Sequence, residues 1–208
     1  MNPRLAADDV QDYIQNGSAI DLNALSFQAS VFEGVRNAEL IEQIHSLTKA
    51  KKKLPDWTLH KGIVYPPKRA IEQSSSQYTA AYKASVCKKL LADTRETAID
   101  LTAGFGVDSS ALSTLFNAFV SVECNPHLNA LLNHNLKLLQ CANVKVEAST
   151  AEEVLEHTSA VDFIYLDPDR RDRSGTRRVG FEHYAPNLIE LYESLIVKAR
   201  LVAIKVSP

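Results

Sequence analysis

The sequence predicts an α/β protein: a Rossmann-like parallel sheet of order 3-2-1-4-5, preceded by a small mainly helical domain. Three observations lead there. Residues 97–208 alternate short β-branched runs with helical patterns. A glycine-bearing turn, Gly104-Phe105-Gly106, joins the first of these runs to a helix start. Residues 1–95 are instead helical and charged in character. The expected division is 1–70 for the helical domain and 71–208 for the Rossmann-like domain, with 71–95 a leading helix.

Composition narrows the class of protein. The 208 residues are 45% hydrophobic and 23% charged, with a formal net charge of -2. A packed core is within reach, and attraction of the whole molecule to a polyanion is not indicated. There are 3 cysteines, an odd count, and no pair has zinc-ligand spacing. No metal site is expected, and a reducing compartment is the simplest reading. Met1 to Val10 contains Asp8 and Asp9 and no long apolar run, unlike a signal peptide. No stretch approaches the roughly 20 apolar residues that span a bilayer. A cytoplasmic location without membrane association is expected.

In the first region, Asp8 to Asn16 and Asn37 to Lys53 read as helices, the second with Leu40, Ile41, Ile44 and Leu47 on one face. Pro55, Pro66 and Pro67 interrupt a less regular segment. Another helix is predicted from Ser76 to Leu91. Then follow strand 97–101, helix 107–117, strand 119–123, helix 126–139, strand 143–147, helix 150–157, strand 161–166, loop 167–185, helix 186–199 and strand 201–206. Right-handed crossovers arrange five such strands as 3-2-1-4-5, with ligands expected where strands 1 and 4 diverge.

Asp100-Leu101-Thr102-Ala103-Gly104-Phe105-Gly106-Val107-Asp108-Ser109 leaves the first strand and enters a helix. Gly104 and Gly106 allow close backbone approach to a ligand. The helix N-terminus adds free N–H groups. The spacing is close to a dinucleotide fingerprint, with Ser109 in the third glycine position. A pyrophosphate, however, would meet Asp108 at the helix entrance. An acid there suits an ammonium group, and Asp100 points the same way. A cationic, phosphate-free cofactor fits better. The bland alternative is a tight strand-to-helix connection with no ligand.

Glu123 ends the second strand, where a carboxylate accepts ribose hydroxyls. Asn125-Pro126 follows and starts the next helix. After the third strand, Ser149 or Thr150 would contact an adenine edge or cap the helix beyond. The fourth strand delivers Asp167-Pro168-Asp169-Arg170-Arg171 to the switch point. Pro168 restricts Asp167 to an extended form, aiming its carboxylate toward a ligand. Arg170, Arg171, Arg173, Arg177 and Arg178 form a local basic cluster, able to stack on bases or bind phosphate. Amino-methylating enzymes carry an Asp/Asn-Pro-Pro-aromatic turn here. Asp169 and Arg170 replace its last two residues, which argues against methylation of base amino groups.

Five blocks together resemble bacterial class I S-adenosylmethionine-dependent methyltransferases with a THUMP-like C-terminal domain. They are Lys51-Lys52-Lys53-Leu54-Pro55-Asp56-Trp57; Glu72-Gln73-Ser74-Ser75-Ser76 with Thr79-Ala80-Ala81-Tyr82-Lys83; Asp100 to Asp108; Tyr165-Leu166-Asp167-Pro168-Asp169-Arg170-Arg171; and Lys205-Val206-Ser207-Pro208. Asp169 departs from the alanine or proline usual in that family. The resemblance implies a helical N-terminal domain, a Rossmann-like catalytic domain and a following THUMP-like domain. A complete methyltransferase sheet has seven strands, so the last strands are absent here. The chain is expected to be part of a longer protein, or to receive those strands from elsewhere. RNA is implied as the acceptor only through the association of THUMP-type domains with RNA.

The expected function is therefore methyl transfer from S-adenosylmethionine to RNA. Asp100, Thr102, Gly104, Gly106, Asp108, Ser109, Glu123, Asn125 and Ser149 are candidates for holding the cofactor. Asp167, Pro168 and Arg170 are candidates for the acceptor side. Gln73, Thr79 and Lys83 are candidates for closing the cleft. Two alternatives stand beside this expectation. One is an RNA-binding module with a vestigial cofactor site, using Lys49, Lys51, Lys52, Lys53, Lys61, Lys68 and Arg69 with the arginine loop. The other is a nicotinamide oxidoreductase, disfavoured by Asp108.

Overall fold

A computed structural model describes residues 1–91, 95–169 and 184–206. N-terminal to the sheet lie α1 (Asp8–Gln15), α2 (Leu22–Ser26), α3 (Asn37–Lys53), α4 (Lys68–Gln73) and α5 (Gln77–Leu90). The expected helices α1, α3 and α5 are present to within a residue at each end. The short helices α2 and α4 were not expected. At 5 and 6 residues they are too brief for a 3.6-residue period to show. Local chemistry starts them instead. The Asp21 side chain accepts the N–H groups of Asn23 and Ala24 ahead of α2, and Pro67 precedes α4.

Leu40, Ile44 and Leu47 of α3 pack with Val10 and Ile14 of α1 and with Trp57 and Ile63. The same cluster continues into Phe105, Val107 and Leu131. The helical segment thus shares its core with residues next to the glycine turn. Two buried amides pin the intervening segment. Gln43 exchanges hydrogen bonds with the N–H (2.9 Å) and C=O (2.7 Å) of Tyr65. Asn135 does the same with Val64, at 3.2 Å and 2.9 Å. Asn135→Ala leaves both Val64 groups unpaired in the interior. A loss of about 2–4 kcal/mol in urea unfolding is expected; a variant within about 0.5 kcal/mol of wild type would contradict that role.

The sheet holds β1 (Thr97–Asp100), β2 (Ala118–Val122), β3 (Val144–Glu147), β4 (Val161–Leu166) and β5 (Ala199–Ile204), all parallel, in the order β3-β2-β1-β4-β5. This is the expected order. Helices α6 (Val107–Ser113), α7 (Pro126–Leu138), α8 (Ala151–His157) and α9 (Leu188–Lys198) make the connections. Side chains alternate across the central strands. Phe163 and Tyr165 of β4 join Ala84 and Cys87 of α5 on one face. Ile164 and Leu166 join Leu155 of α8 and Leu191 and Leu195 of α9 on the other.

Most boundaries in this half shift by no more than two residues from expectation, and two of the differences bear on packing or connection. The helix predicted to reach 117 ends at Ser113, where Leu115 and Phe116 donate tighter three-residue bonds to Leu112 and Ser113. Phe116 turns inward onto Phe119 and Phe163, which a continuing helix would not allow. The second is at β5, which begins at Ala199 directly after α9, without the predicted gap. No helix among the described residues is long and apolar enough to cross a membrane.

Candidate active site

The turns leaving β1, β2, β3 and β4 enclose a cleft of about 570 Å³ at the carboxyl ends of the central strands. Its wall includes Thr102, Gly104, Gly106, Asp108, Glu123, Ser149 and Asp167. The N-terminal side adds Ala70, Gln73, Ser74 and Ser75 from α4 and the turn after it. Asp169, Ala185 and Pro186 border it as well. Asp169 and Ala185 exchange backbone hydrogen bonds at 3.0 Å and 2.8 Å, tying the turn after β4 to the residues ahead of α9 at the cleft.

The two glycines both line the cleft, but packing constrains them differently. Gly104 has φ +57, and a Cβ there would meet no protein atom within 4 Å. Its N–H donates to Glu123 Oε2 at 2.9 Å. Gly106 has φ +101, and a Cβ there would lie 2.6 Å from Leu132 Cδ1 on α7. Gly106 is therefore a packing requirement between the turn and α7. Phe105, between them, meets Trp57 edge-on at 5.6 Å. A residue from the helical part thereby braces the turn.

Asp100 is expected to touch the cofactor, but it is fully buried and lies behind the cleft wall. It accepts the Thr102 N–H at 3.0 Å and the Ser109 hydroxyl at 2.6 Å, holding both ends of the turn. Burial pushes its carboxyl up to about 7, with Asp108 and Asp167 adding to the rise and the two hydrogen bonds opposing it. Ser109, also fully buried, is a partner of Asp100 and likewise does not line the cleft. Both residues shape the turn from behind because the first turn of α6 faces β1.

Glu123 lies at the rim and bridges two turns. Oε2 accepts from Gly104, and Oε1 accepts the Asn125 N–H at 2.7 Å. Burial raises its carboxyl above the usual range, while these two hydrogen bonds oppose the rise. Asn125 does not line the cleft. Its side chain accepts the His127 and Leu128 N–H groups and caps α7. Thr150 caps α8, and Ser149 donates to Glu153 at 2.6 Å while still bordering the cleft.

Opposite these, the Asp167 N–H donates to Thr102 Oγ1 at 2.6 Å, joining the turn after β4 to the turn after β1. The Asp167 carboxylate pairs with Lys205, just beyond β5, at 2.5 Å. Pro168 is buried outside the cleft wall, where it shapes the turn. Arg170 and the neighbouring arginines lie outside the described residues. Of the candidates for closing the cleft, Gln73 lines it, whereas Thr79 shares a hydrogen bond with Ser76 at the start of α5. Lys83 reaches Asp108 at 2.5 Å. Ser75, Tyr165 and Lys205 lie in blocks that carry the resemblance but are not among the candidate site residues. Their partners, Asp108 and Asp167, reach them through tertiary contacts that no spacing along the chain marks.

No protein-family profile matches the sequence, and no curated protein matches it. Solved structures do. A candidate methyltransferase from Porphyromonas gingivalis W83 superposes with a TM-score of 0.77 at 25% identity, over 96% of this chain and 48% of that one. The fold is a Rossmann-like methyltransferase fold. The chain spans about half the length of that neighbour. A candidate RNA methyltransferase from Pyrococcus horikoshii gives a TM-score of 0.49 at 22% identity, over 76% of this chain and 73% of that one. A candidate methyltransferase from Streptococcus mutans, in complex with SAH, gives 0.43 at 16% identity, over 54% and 63%. Within this methyltransferase fold, the cleft lies where β1 and β4 lead to opposite halves of the sheet.

Proposed function

We propose that the chain is an S-adenosylmethionine-dependent methyltransferase acting on RNA. The observation that carries the cofactor half is the convergence of Gly104, Glu123 and Asp167, from three separate strand ends, on one cleft. The likeness to the P. gingivalis methyltransferase candidate over 96% of the chain supports it. In the same reading, the chain is the helical and catalytic part of a protein that also holds a THUMP-like domain.

S-adenosylmethionine would supply a methyl group already activated by its sulfonium. This chain then has to bind, orient and exclude water. Gly104 leaves the turn open for close approach, and Thr102 fixes the turn to Asp167. Each Glu123 oxygen has one N–H partner and keeps accepting capacity for ribose hydroxyls. Asp108 marks the end of the cleft suited to the methionyl amino group. Asp167, held by Lys205, orients an N–H or O–H of the acceptor.

Calorimetric titration with S-adenosylmethionine and with NAD tests the cofactor. Binding of the sulfonium compound alone is expected, and binding of NAD alone overturns the proposal. Glu123→Ala removes the acceptor and frees the Gly104 N–H, and is expected to weaken cofactor binding by about 100-fold, or ~3 kcal/mol. Unchanged affinity would remove Glu123 from the site.

RNA is favoured as acceptor by charge near the cleft. Lys51 and Lys52 at the end of α3, and Lys68 and Arg69 at the start of α4, are exposed, and α4 lines the cleft. Lys49 and Lys61 are instead paired with Glu72 and with Asp8 and Asp12. The arginine cluster follows Asp169 directly in the sequence. Loss of a methyl mark from the RNA of a deletion strain is the expected result. An unchanged set of marks leaves the cofactor half standing and overturns the RNA half.

A further inference from the structure

We infer that Ser75, Lys83 and Tyr165 form a clamp on one oxygen of Asp108, so that its other oxygen takes an amino group of the bound ligand. The inference rests on the methyltransferase proposal and gives that site its selectivity. Asp108 sits in the first turn of α6 and lines the cleft with only 9% of its surface exposed. Its Oδ2 accepts the Ser75 hydroxyl at 2.9 Å and the Tyr165 hydroxyl at 3.0 Å, and pairs with Lys83 Nζ at 2.5 Å. Its Oδ1 is buried and has no hydrogen-bond partner.

The asymmetry is the argument. Three donors from three elements converge on one carboxylate oxygen: the turn before α5, α5 itself and β4. Lys83 also donates to Ser75 Oγ and to Tyr165 Oη, at 2.9 Å and 2.7 Å, and lies over the Tyr165 ring. The clamp is thus tied together independently of Asp108. Burial and the neighbouring carboxylates of Asp108, Asp100 and Asp167 hold the Tyr165 phenol well above its ordinary range, so it stays a donor. A carboxylate needs no such clamp merely to cap a helix.

Leaving Oδ1 unpaired in the interior is unfavourable, and a ligand donor at the cleft would relieve it. The donor must be an N–H or O–H, since an ionised carboxylate only accepts. An ammonium group suits best where Asp100, directly behind the turn, is ionised as well, which is above about 7 in the free protein. Lys83, Ser75 and Tyr165 are then positioning residues. They set where Oδ1 lies; Lys83 and Tyr165 stand outside the cleft wall, and Ser75 borders it. They also link α5, the leading helix, to the cofactor end of the cleft.

The test compares two adenosine thioethers by calorimetry: S-adenosylhomocysteine, which carries the amino group, and 5′-methylthioadenosine, which lacks the amino-acid portion. Asp108→Asn is expected to lower affinity for the first by about 10-fold or more while leaving the second within about twofold. Tyr165→Phe and Ser75→Ala are expected to act in the same direction, by about 3- to 10-fold on the first compound only. A purely structural role would weaken both compounds equally, and that outcome overturns the clamp. So does unchanged affinity for the first compound in all three variants. Thermal unfolding of each variant separates lost selectivity from lost folding, and the two hydroxyl deletions remain informative where Asp108→Asn does not fold. A wild-type protein that binds neither compound overturns the cofactor proposal and the clamp with it. A wild type that binds both, with variants that lose both alike, overturns the clamp alone.

Discussion

Asp100→Asn is expected to stabilise the fold at pH 8 and to weaken cofactor binding. The Asp100 carboxyl has no exposure, and burial lifts it to about 7 in the folded chain, against 3.8 for an unperturbed group. Between those values the unfolded chain is ionised and the folded chain is protonated. The unfolded state then binds fewer protons, so stability falls as pH rises through that window and is level above about 7. At ~1.4 kcal/mol per pH unit, the ceiling on this loss is about 4 kcal/mol.

Asparagine removes the titration. Its carbonyl still accepts from Thr102, and its amide donates to the Ser109 hydroxyl, which acts as acceptor instead. Urea midpoints are expected to favour the variant at pH 8 and to converge near pH 4. A variant less stable than wild type at pH 8 would show that the ionised form is not strained. Binding is expected to move the other way. A cation near the turn favours ionised Asp100, so affinity for S-adenosylmethionine is expected to rise with pH up to about 7 in wild type and to be lower and flatter in the variant. Equal pH profiles would separate Asp100 from the ligand.

The second large effect separates the two glycines. Gly106→Ala places a methyl 2.6 Å from Leu132 Cδ1, at φ +101, where an L side chain is strained. Leu132 is fully buried and cannot swing into solvent. Strain and overpacking together are expected to destabilise by about 3 kcal/mol or more. Gly104→Ala sits at φ +57, in the left-handed region that costs alanine about 1 kcal/mol, and meets nothing within 4 Å. Its methyl stands where the ligand would pass. Near-native stability with cofactor affinity lowered by about 10-fold or more is expected. Urea unfolding and calorimetry on both variants give a crossed pattern, stability lost in one and binding in the other. A Gly106→Ala protein as stable as wild type would refute the packing role. Undiminished affinity in Gly104→Ala would take that glycine out of the site.

Much of this architecture is legible along the chain. The five strands and their order follow from period-two and helical patterns plus one handedness rule, which act over a few residues or one crossover. The turn from Asp100 to Ser109 and the strand-end positions of Glu123 and Asp167 are visible for the same reason: a glycine or an acid next to an apolar run is a local signal. What each residue does there is not local. Asp100 and Ser109 face each other behind the wall because the first turn of α6 folds back toward the end of β1. Gly106 is needed because α7 brings Leu132 against it, and Lys205 reaches Asp167 because β5 lies beside β4. The Asp108 clamp gathers Ser75, Lys83 and Tyr165 from two distant parts of the sequence. By itself, then, the sequence determined the order of elements and the turns at which chemistry collects. Only the tertiary structure decided which polar groups face the cleft and which brace it, because burial and partner choice depend on what packs across the sheet.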